Sequence, residues 1–455
     1  MSESAFELLW ERLGHCIADF LSLRTALGVR RMNVNLRELA PLQILFFKDT
    51  SGRSAADLLA ACVKVQAVEL YRNPDRCNLL DVFPYCPELV RVDMTNCGLT
   101  TAHARIIATD TPDLISLSLV QNRLNSLDFC EDTMEELCVL DLSHNFIEDG
   151  PVLRAFPRLQ ELRLAHNFID DAFLLALLRP IAECPSLWLL DLARNQIRPT
   201  GVTRLAQALH TTRIRELILS DNHVGPDGAT ALARALEHPG SSLVSLDVNG
   251  AMLHNDGGWA LLASSRLTTL RIASNVLTNV APGPSGTWAL EVLILDNNRG
   301  ADGIPELLAR CPRLRKLSAK HMWLSPEVAE SICDCVSPTV AILDLSDNEL
   351  GDEGLSRVLA EAREWPRLRK LRLAKCSLKV FDHWPRLRHA PQLRELDLHD
   401  NRIDLPSFTG LVSYCGGVTN GPRVDIRSNF IEDAHQTLKV LAPRLTESWA
   451  LRGNY

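Results

Sequence analysis

Four groups of side chains have types and spacings that could do chemistry. Asp397 and Asp425 are the only adjacent acidic pair once the chain is set in its repeats, and paired carboxylates can hold a cation or do acid–base work. His144 and His166 hold matching places one repeat apart. Paired imidazoles can bind metal, although two ligands do not complete a site. Cys333 and Cys335 are the only close pair among thirteen cysteines, again too few for zinc unless distant residues join. Finally, residues 363–394 carry ten Lys or Arg against two acids, Glu364 and Asp382, a bias that attracts acidic protein or a phosphate backbone. The sequence has no P-loop, no dinucleotide glycine pattern after a strand, no H-E-x-x-H and no G-x-S-x-G. We therefore expect no enzyme activity, no cofactor and no resident metal.

The elements that position these groups come from one recurring phrase, L-x-x-L-x-L-x-x-N. Leu137, Leu140, Leu142 and Asn145 form one copy. Leu159, Leu162, Leu164 and Asn167 form the next. Allowing Val, Ile or Met, sixteen units begin near Leu39, Val65, Leu89, Leu114, Leu137, Leu159, Leu187, Ile214, Leu243, Leu267, Leu290, Leu314, Val340, Leu368, Leu393 and Gly421, in steps of 22 to 29 residues. The second and third apolar positions lie two apart, so both point inward from a short strand. The ninth-position amide offers donor and acceptor where the chain leaves the strand. Eleven units keep Asn there, two place Cys97 and Cys376, and three depart with Phe47, Ala251 and Met322. Longer units carry a helix on the return leg, predicted over 230–236 and 355–362 and after Gly201. The run 281–286 predicts an irregular loop, and 245–325 is expected to be the least regular stretch.

This pattern resembles the ribonuclease-inhibitor-like class of leucine-rich repeat proteins over roughly residues 39–432. The resemblance implies an α/β leucine-rich repeat solenoid: a curved horseshoe with a parallel inner β-sheet, helices and loops on the convex side, and helical caps. The expected organisation is an amino-terminal helical cap at 1–38, a solenoid of about sixteen repeats at 39–431 and a carboxy-terminal helical cap at 432–455, with Leu438, Leu441 and Leu445 facing inward.

Phase then assigns the exposed strand residues. The central outward position alternates in sign through Asp141, Arg163 and Asp191, Asp247 and Arg271, then Asp344, Arg372 and Asp397, which predicts cross-strand ion pairs. A basic concave patch is expected from Arg315, Lys316, Lys320, Arg369, Lys370, Arg372 and Lys375, suited to an acidic protein surface. An aliphatic concave patch is expected from Val120, Val139, Leu189, Ile218, Val292 and Ile294, suited to a protein contact. Nucleic acid is the weaker candidate partner, because stacking aromatics are missing from the predicted sheet.

Composition narrows the setting. The net charge of −8 gives no overall basic character, no apolar run reaches membrane-spanning length, and the opening Met1–Glu7 is not expected to be a secretory signal. Scattered cysteines without capping clusters suit a reducing, cytoplasmic compartment. The leading expectation is a non-enzymatic protein–protein interaction scaffold within a cytoplasmic or cytoskeletal assembly; some flagellar subunits look like this class. The family's Ran-activating member suggests a GTPase regulator, although that member carries an acidic tail and this chain ends Leu451-Arg452-Gly453-Asn454-Tyr455. Residues 4–38 have the length of an F-box without its Leu-Pro opening, which suggests a ubiquitin-ligase adaptor. The basic third suggests a ribonucleoprotein subunit contacting RNA.

Overall fold

In the computed structural model the described residues are 45–48, 67–71, 80, 83, 86 and 88–451, apart from 131–133, 149–155, 280–286, 301–302, 360–364, 381–383, 418–420, 432–433 and 446–448. The expected cap at 1–38, with its F-box segment, and the loop at 281–286 lie outside the described residues.

The chain divides into two compact units, Met1–Ile197 with Thr211–Ile214, and Arg198–His210 with Arg215–Tyr455. The first holds β1 (Leu45–Lys48), β2 (Ala67–Tyr71), β3 (Arg91–Thr95), β4 (Ser116–Ser118), β5 (Val139–Asp141), β6 (Glu161–Arg163) and β7 (Leu189–Asp191), with helices α1 (Thr101–Asp110) and α2 (Asp171–Ala182). The second begins with α3 (Pro199–Ala208). Its strands are β8 (Glu216–Ile218), β9 (Ser245–Asp247), β10 (Thr269–Arg271), β11 (Val292–Ile294), β12 (Lys316–Ser318), β13 (Ile342–Asp344), β14 (Lys370–Arg372), β15 (Glu395–Asp397) and β16 (Arg423–Asp425). Its further helices are α4 (Gly225–Glu237), α5 (His254–Leu262), α6 (Ile304–Leu308), α7 (Pro326–Cys335), α8 (Gly351–Val358), α9 (Leu405–Gly417) and α10 (Ala434–Leu441).

Within each unit the strands pair in sequence order, all parallel, in the register the repeats dictate. Leu140 faces Leu117 and Leu162, and Leu343 faces Leu317 and Leu371. These leucines are fully buried, or nearly so. Helices α4 and α8 start at Gly225 and Gly351, earlier than the apolar spacing predicts, because both glycines take a left-handed φ that turns the chain into the helix.

Three expectations need correction. The first repeat is out of phase by three: Leu45 faces Val68 and Phe47 faces Leu70, so the unit reads Leu42, Leu45, Phe47, and its ninth position is Thr50 instead of Phe47. Leucines stand at 39, 42 and 45, so composition allows both phases and only strand pairing decides. The stretch 245–325 is not irregular in its sheet, since β9 to β12 keep unbroken register. In the carboxy-terminal cap, Leu438 and Leu445 are buried but Leu441 is 47% exposed. That cap is also more than a helix. The Ala450 N–H donates to the Val424 carbonyl and the Ile426 N–H donates to the Ala450 carbonyl, covering the edge of β16.

The turn out of each strand follows one rule. The eighth repeat residue is left-handed in fourteen repeats, with φ from 51° at His321 to 61° at Gly250. Its N–H reaches the seventh-position carbonyl of the next repeat, as from His144 to Ala165 (2.8 Å) and Asp347 to Ala374 (2.8 Å). The ninth-position Asn then binds both repeats. Asn145 accepts from the Leu124 N–H (3.0 Å) and donates to the Leu119 and Leu142 carbonyls (2.9 Å each).

Where the preceding repeat lacks Asn, the next one grips harder. Asn348 accepts from the N–H groups of both Met322 (3.0 Å) and Leu324 (3.1 Å). Asn122, Asn275 and Asn401 do the same for Cys97 and Leu99, Ala251 and Leu253, and Cys376 and Leu378. In each case the intervening residue, Gly98, Met252, Trp323 or Ser377, is left-handed, which brings two N–H groups onto one oxygen. Asn298 treats Asn275 and Leu277 likewise around Val276, although that preceding repeat keeps its Asn, so the two-donor grip goes with a left-handed tenth residue. Cys97, Ala251, Met322 and Cys376 are therefore not gaps in the ladder.

Asn348→Ala should cost more than Asn145→Ala, by about 1 kcal/mol or more, because it strands one further buried N–H. Urea denaturation of the two variants against the parent measures this; equal losses would contradict the two-donor account.

Candidate functional site

The sheet face turned away from the helices presents the third, fifth and seventh repeat positions. In the second unit Lys316 on β12 lies beside Ile342 on β13, which lies beside Lys370 on β14. One position pair over, Ser318, Asp344 and Arg372 form a parallel row. The expected cations are placed as follows. Arg315 is exposed and pairs with Glu291 at 3.5 Å, while Lys320 reaches Asp296 at 3.6 Å. Lys370 bonds Glu395 at 2.8 Å and Arg372 bonds Asp344 at 3.5 Å. Arg369 is exposed just before β14, and Lys375 is exposed on the left-handed turn beyond the strand rather than on the sheet. Lys316 makes no ion pair among the described residues. Asp344 is nearly fully buried, so Arg372 compensates a carboxylate that water cannot reach.

The aliphatic residues divide between the units. In the first, Val120 and Val139 are half-buried, but Leu189 is 6% exposed and offers little surface. It lies beside Glu161, whose strand carries the Glu161–Arg163 pair at 2.6 Å, and such long side chains screen an aliphatic neighbour. In the second, Ile218, Val292 and Ile294 are half-buried. The sign alternation is in register as expected, yet only partly cross-strand in its bonds. Arg372 pairs with Asp344 across strands, whereas Arg163 pairs with Glu161 on its own strand and Arg271 reaches Glu216 at 3.9 Å.

The acidic pair proves to be a network of four. Asp397 and Asp425 face each other in register, and His399 joins them with ligand atoms all within 4.8 Å. His399 Nδ1 lies 2.5 Å from Asp397 Oδ1, and Arg427 bonds Asp425 through Nε (2.9 Å) and Nη2 (2.6 Å). These three residues could hold a cation chemically, but Arg427 already supplies the countercharge to Asp425. Burial alone would raise the Asp425 carboxyl; hydrogen bonds from the Arg427 side chain and backbone outweigh it and hold the group below its ordinary value. His399 and Arg427 were not singled out in the sequence. Their signal was the shared seventh position, two residues after each Asp.

The turn edge adds a surface that the sequence reading missed. The tenth repeat residue carries the large apolar groups Phe146, Phe168, Met252, Val276, Trp323 and Phe430, all exposed. In the first unit Phe146 and Phe168 stack with centroids 6.1 Å apart, next to His144 and His166 at 3.9 Å. Counting one residue past each ladder position would have found the row.

Burial pushes the thiols of Cys311, Cys376 and Cys415 up to about 12, and an unionised thiol is a poor nucleophile. No helix among the described residues is long and apolar enough to cross a membrane.

A family model described as Leucine Rich repeat matches residues 212–233 and 336–359, which contain Leu217, Leu219 and Asn222, and Leu343, Leu345 and Asn348. No curated protein matches the chain. Among solved structures, an internalin from Listeria monocytogenes is similar over 87% of this chain and 88% of its own, at 14% identity and a TM-score of 0.43. The repeats, the open parallel sheets and the ladder are those of a leucine-rich repeat solenoid.

The folded Asp425 pKa lies below its unfolded value of 3.8, so the Arg427 pairing stabilises above that pH and is lost as pH falls through the folded value. Melting temperatures of the parent and Arg427→Gln should therefore differ most above about pH 4 and converge below it. A gap that stays constant into acid would show that the pairing does not set the stability.

Proposed function

We propose that this leucine-rich repeat protein is a non-enzymatic protein-interaction scaffold of the ribonuclease-inhibitor-like type, and that β11 to β14 take an acidic, partly apolar partner segment. The observation that carries this reading is the row Lys316–Ile342–Lys370. It sets an aliphatic residue between two lysines roughly 10 Å apart, two strand spacings. Val292 and Ile294 extend the apolar ground on β11. An apolar centre inside a charged rim is the anatomy of a protein contact.

Charge supports the sign of the partner. From Glu291 to Asp296 and across the matching positions of the next three repeats, six cations face three carboxylates. The Lys370–Glu395 pair is 36% exposed on the Lys side and 41% on the Glu side, and such pairs contribute about 0–1 kcal/mol, so an incoming carboxylate exchanges with Glu395 cheaply. A phosphate backbone would meet the same cations, but the interleaved side chains are aliphatic and offer no ring for a base. Cys184, Cys311, Cys376 and Cys415 are buried free thiols, which supports a reducing compartment.

The test is charge reversal at Lys316 and Lys370 together. Arg372 is left intact, because its loss would strand the buried Asp344 and confound binding with folding. Against synthetic peptides alternating Glu with Leu, the parent should bind more weakly as salt rises, and the double variant should bind about tenfold more weakly, about 1.4 kcal/mol. Equal peptide affinity in parent and variant, both folded by circular dichroism, would remove the basis of this reading.

A further inference from the structure

We propose that Trp323 anchors a second docking site, which takes an arginine or lysine side chain of a partner protein on the indole face, with Glu349 and Asp347 as countercharge. This rests on the reading of the chain as an interaction scaffold, but not on the β11–β14 strip.

Trp323 violates two rules at once. It is 75% exposed, the most of any large apolar side chain among the described residues. It also holds a left-handed φ of 61°, a strained backbone for a bulky aromatic. The fold asks only for the left-handed turn, and Gly98 and Ser377 meet that demand at the same repeat position with small side chains. Nothing in the packing calls for an indole there. A tryptophan held out into water against backbone preference fits a contact anchor, the residue type that dominates tight interfaces.

The surroundings choose the ligand's charge. Trp323 borders an open groove of about 560 Å³, lined also by His321, Ser325, Asp347, Glu349 and Lys375. Two exposed carboxylates face one lysine there, so the fixed charge is negative. Asp347 lies 3.1 Å from His321, while Glu349 has no ion pair among the described residues. An anionic ligand would look to the start of α7 at Pro326. That helix end is already served from its own chain: Ser325 Oγ accepts from the Val328 N–H and donates to Glu327 at 2.7 Å. What remains is an electron-rich ring face beside carboxylates, which attracts a guanidinium or ammonium group.

The experiment uses the full chain and fluorescein-labelled Gly/Ser octapeptides carrying a central Arg, Lys, Gln or Glu pair, read by fluorescence polarisation. Arg and Lys peptides should bind at least about fivefold more tightly than the Gln peptide. That preference should vanish in Trp323→Ser, shrink in Glu349→Gln and survive charge reversal at Lys316 and Lys370. Survival in that double variant separates this site from the strip, since failure of the strip leaves the cation preference untouched. Trp323→Gly is the folding control, and its melting temperature should equal or exceed the parent's because strain is released. The proposal is overturned if cationic peptides show no preference, if the preference persists without Trp323, if the Glu peptide is the one held through Trp323, or if Trp323→Gly melts earlier.

Discussion

Every repeat must solve the same backbone problem. A short strand ends inside the stack, and the polar groups of the departing chain have no water to turn to. The left-handed eighth residue sends its N–H forward to the next repeat, and the ninth-position amide closes the remaining groups of both repeats. A left-handed non-glycine residue costs about 1 kcal/mol, and a buried N–H left unpaired costs about 1–3 kcal/mol, so the strained turn is the cheaper solution. That inequality explains why His144, Arg194 and Lys375 accept a conformation that L-residues avoid.

The same inequality explains the departures from the motif. A repeat that loses its Asn keeps its backbone paired if its neighbour's Asn takes a second N–H. This requires one more left-handed residue, as at Met252 and Trp323. Coupling between repeats is therefore shared, since each ninth-position Asn serves backbone groups of its own repeat and of the one before it. The region around Ala251 and Met322 keeps its register for this reason, although its sequence looks broken.

The strand phase was legible from residue 65 onward, because apolar residues two apart and an Asn three further on admit one reading. It failed at the first repeat, where leucines at 39, 42 and 45 fit two phases. Which residues occupy the sheet face was legible too, since burial alternates with period two. What those side chains do to one another was not. Arg163 prefers Glu161 on its own strand over the aspartates beside it, and Lys370 is taken up by Glu395. Such choices depend on rotamers and local burial that spacing does not encode. The turn geometry was equally hidden, because the eighth position accepts His, Arg, Asp, Ser, Gln and Lys alike.

That tolerance carries the functional argument one step further. At inward positions packing leaves almost no choice, so Leu140 or Leu343 reports only on the core. At the tenth position the fold accepts Gly98, Ser377, Met252 and Trp323 under the same backbone demand. A costly residue at a permissive position is therefore more informative than any residue at a restrictive one. Sheet cations held by their own carboxylates contribute a background that keeps the strands soluble and in register, and they can still exchange partners. An exposed aromatic at a turn is not needed for either role. The turn edge, not the sheet alone, is where this repeat stack departs from what its stability requires.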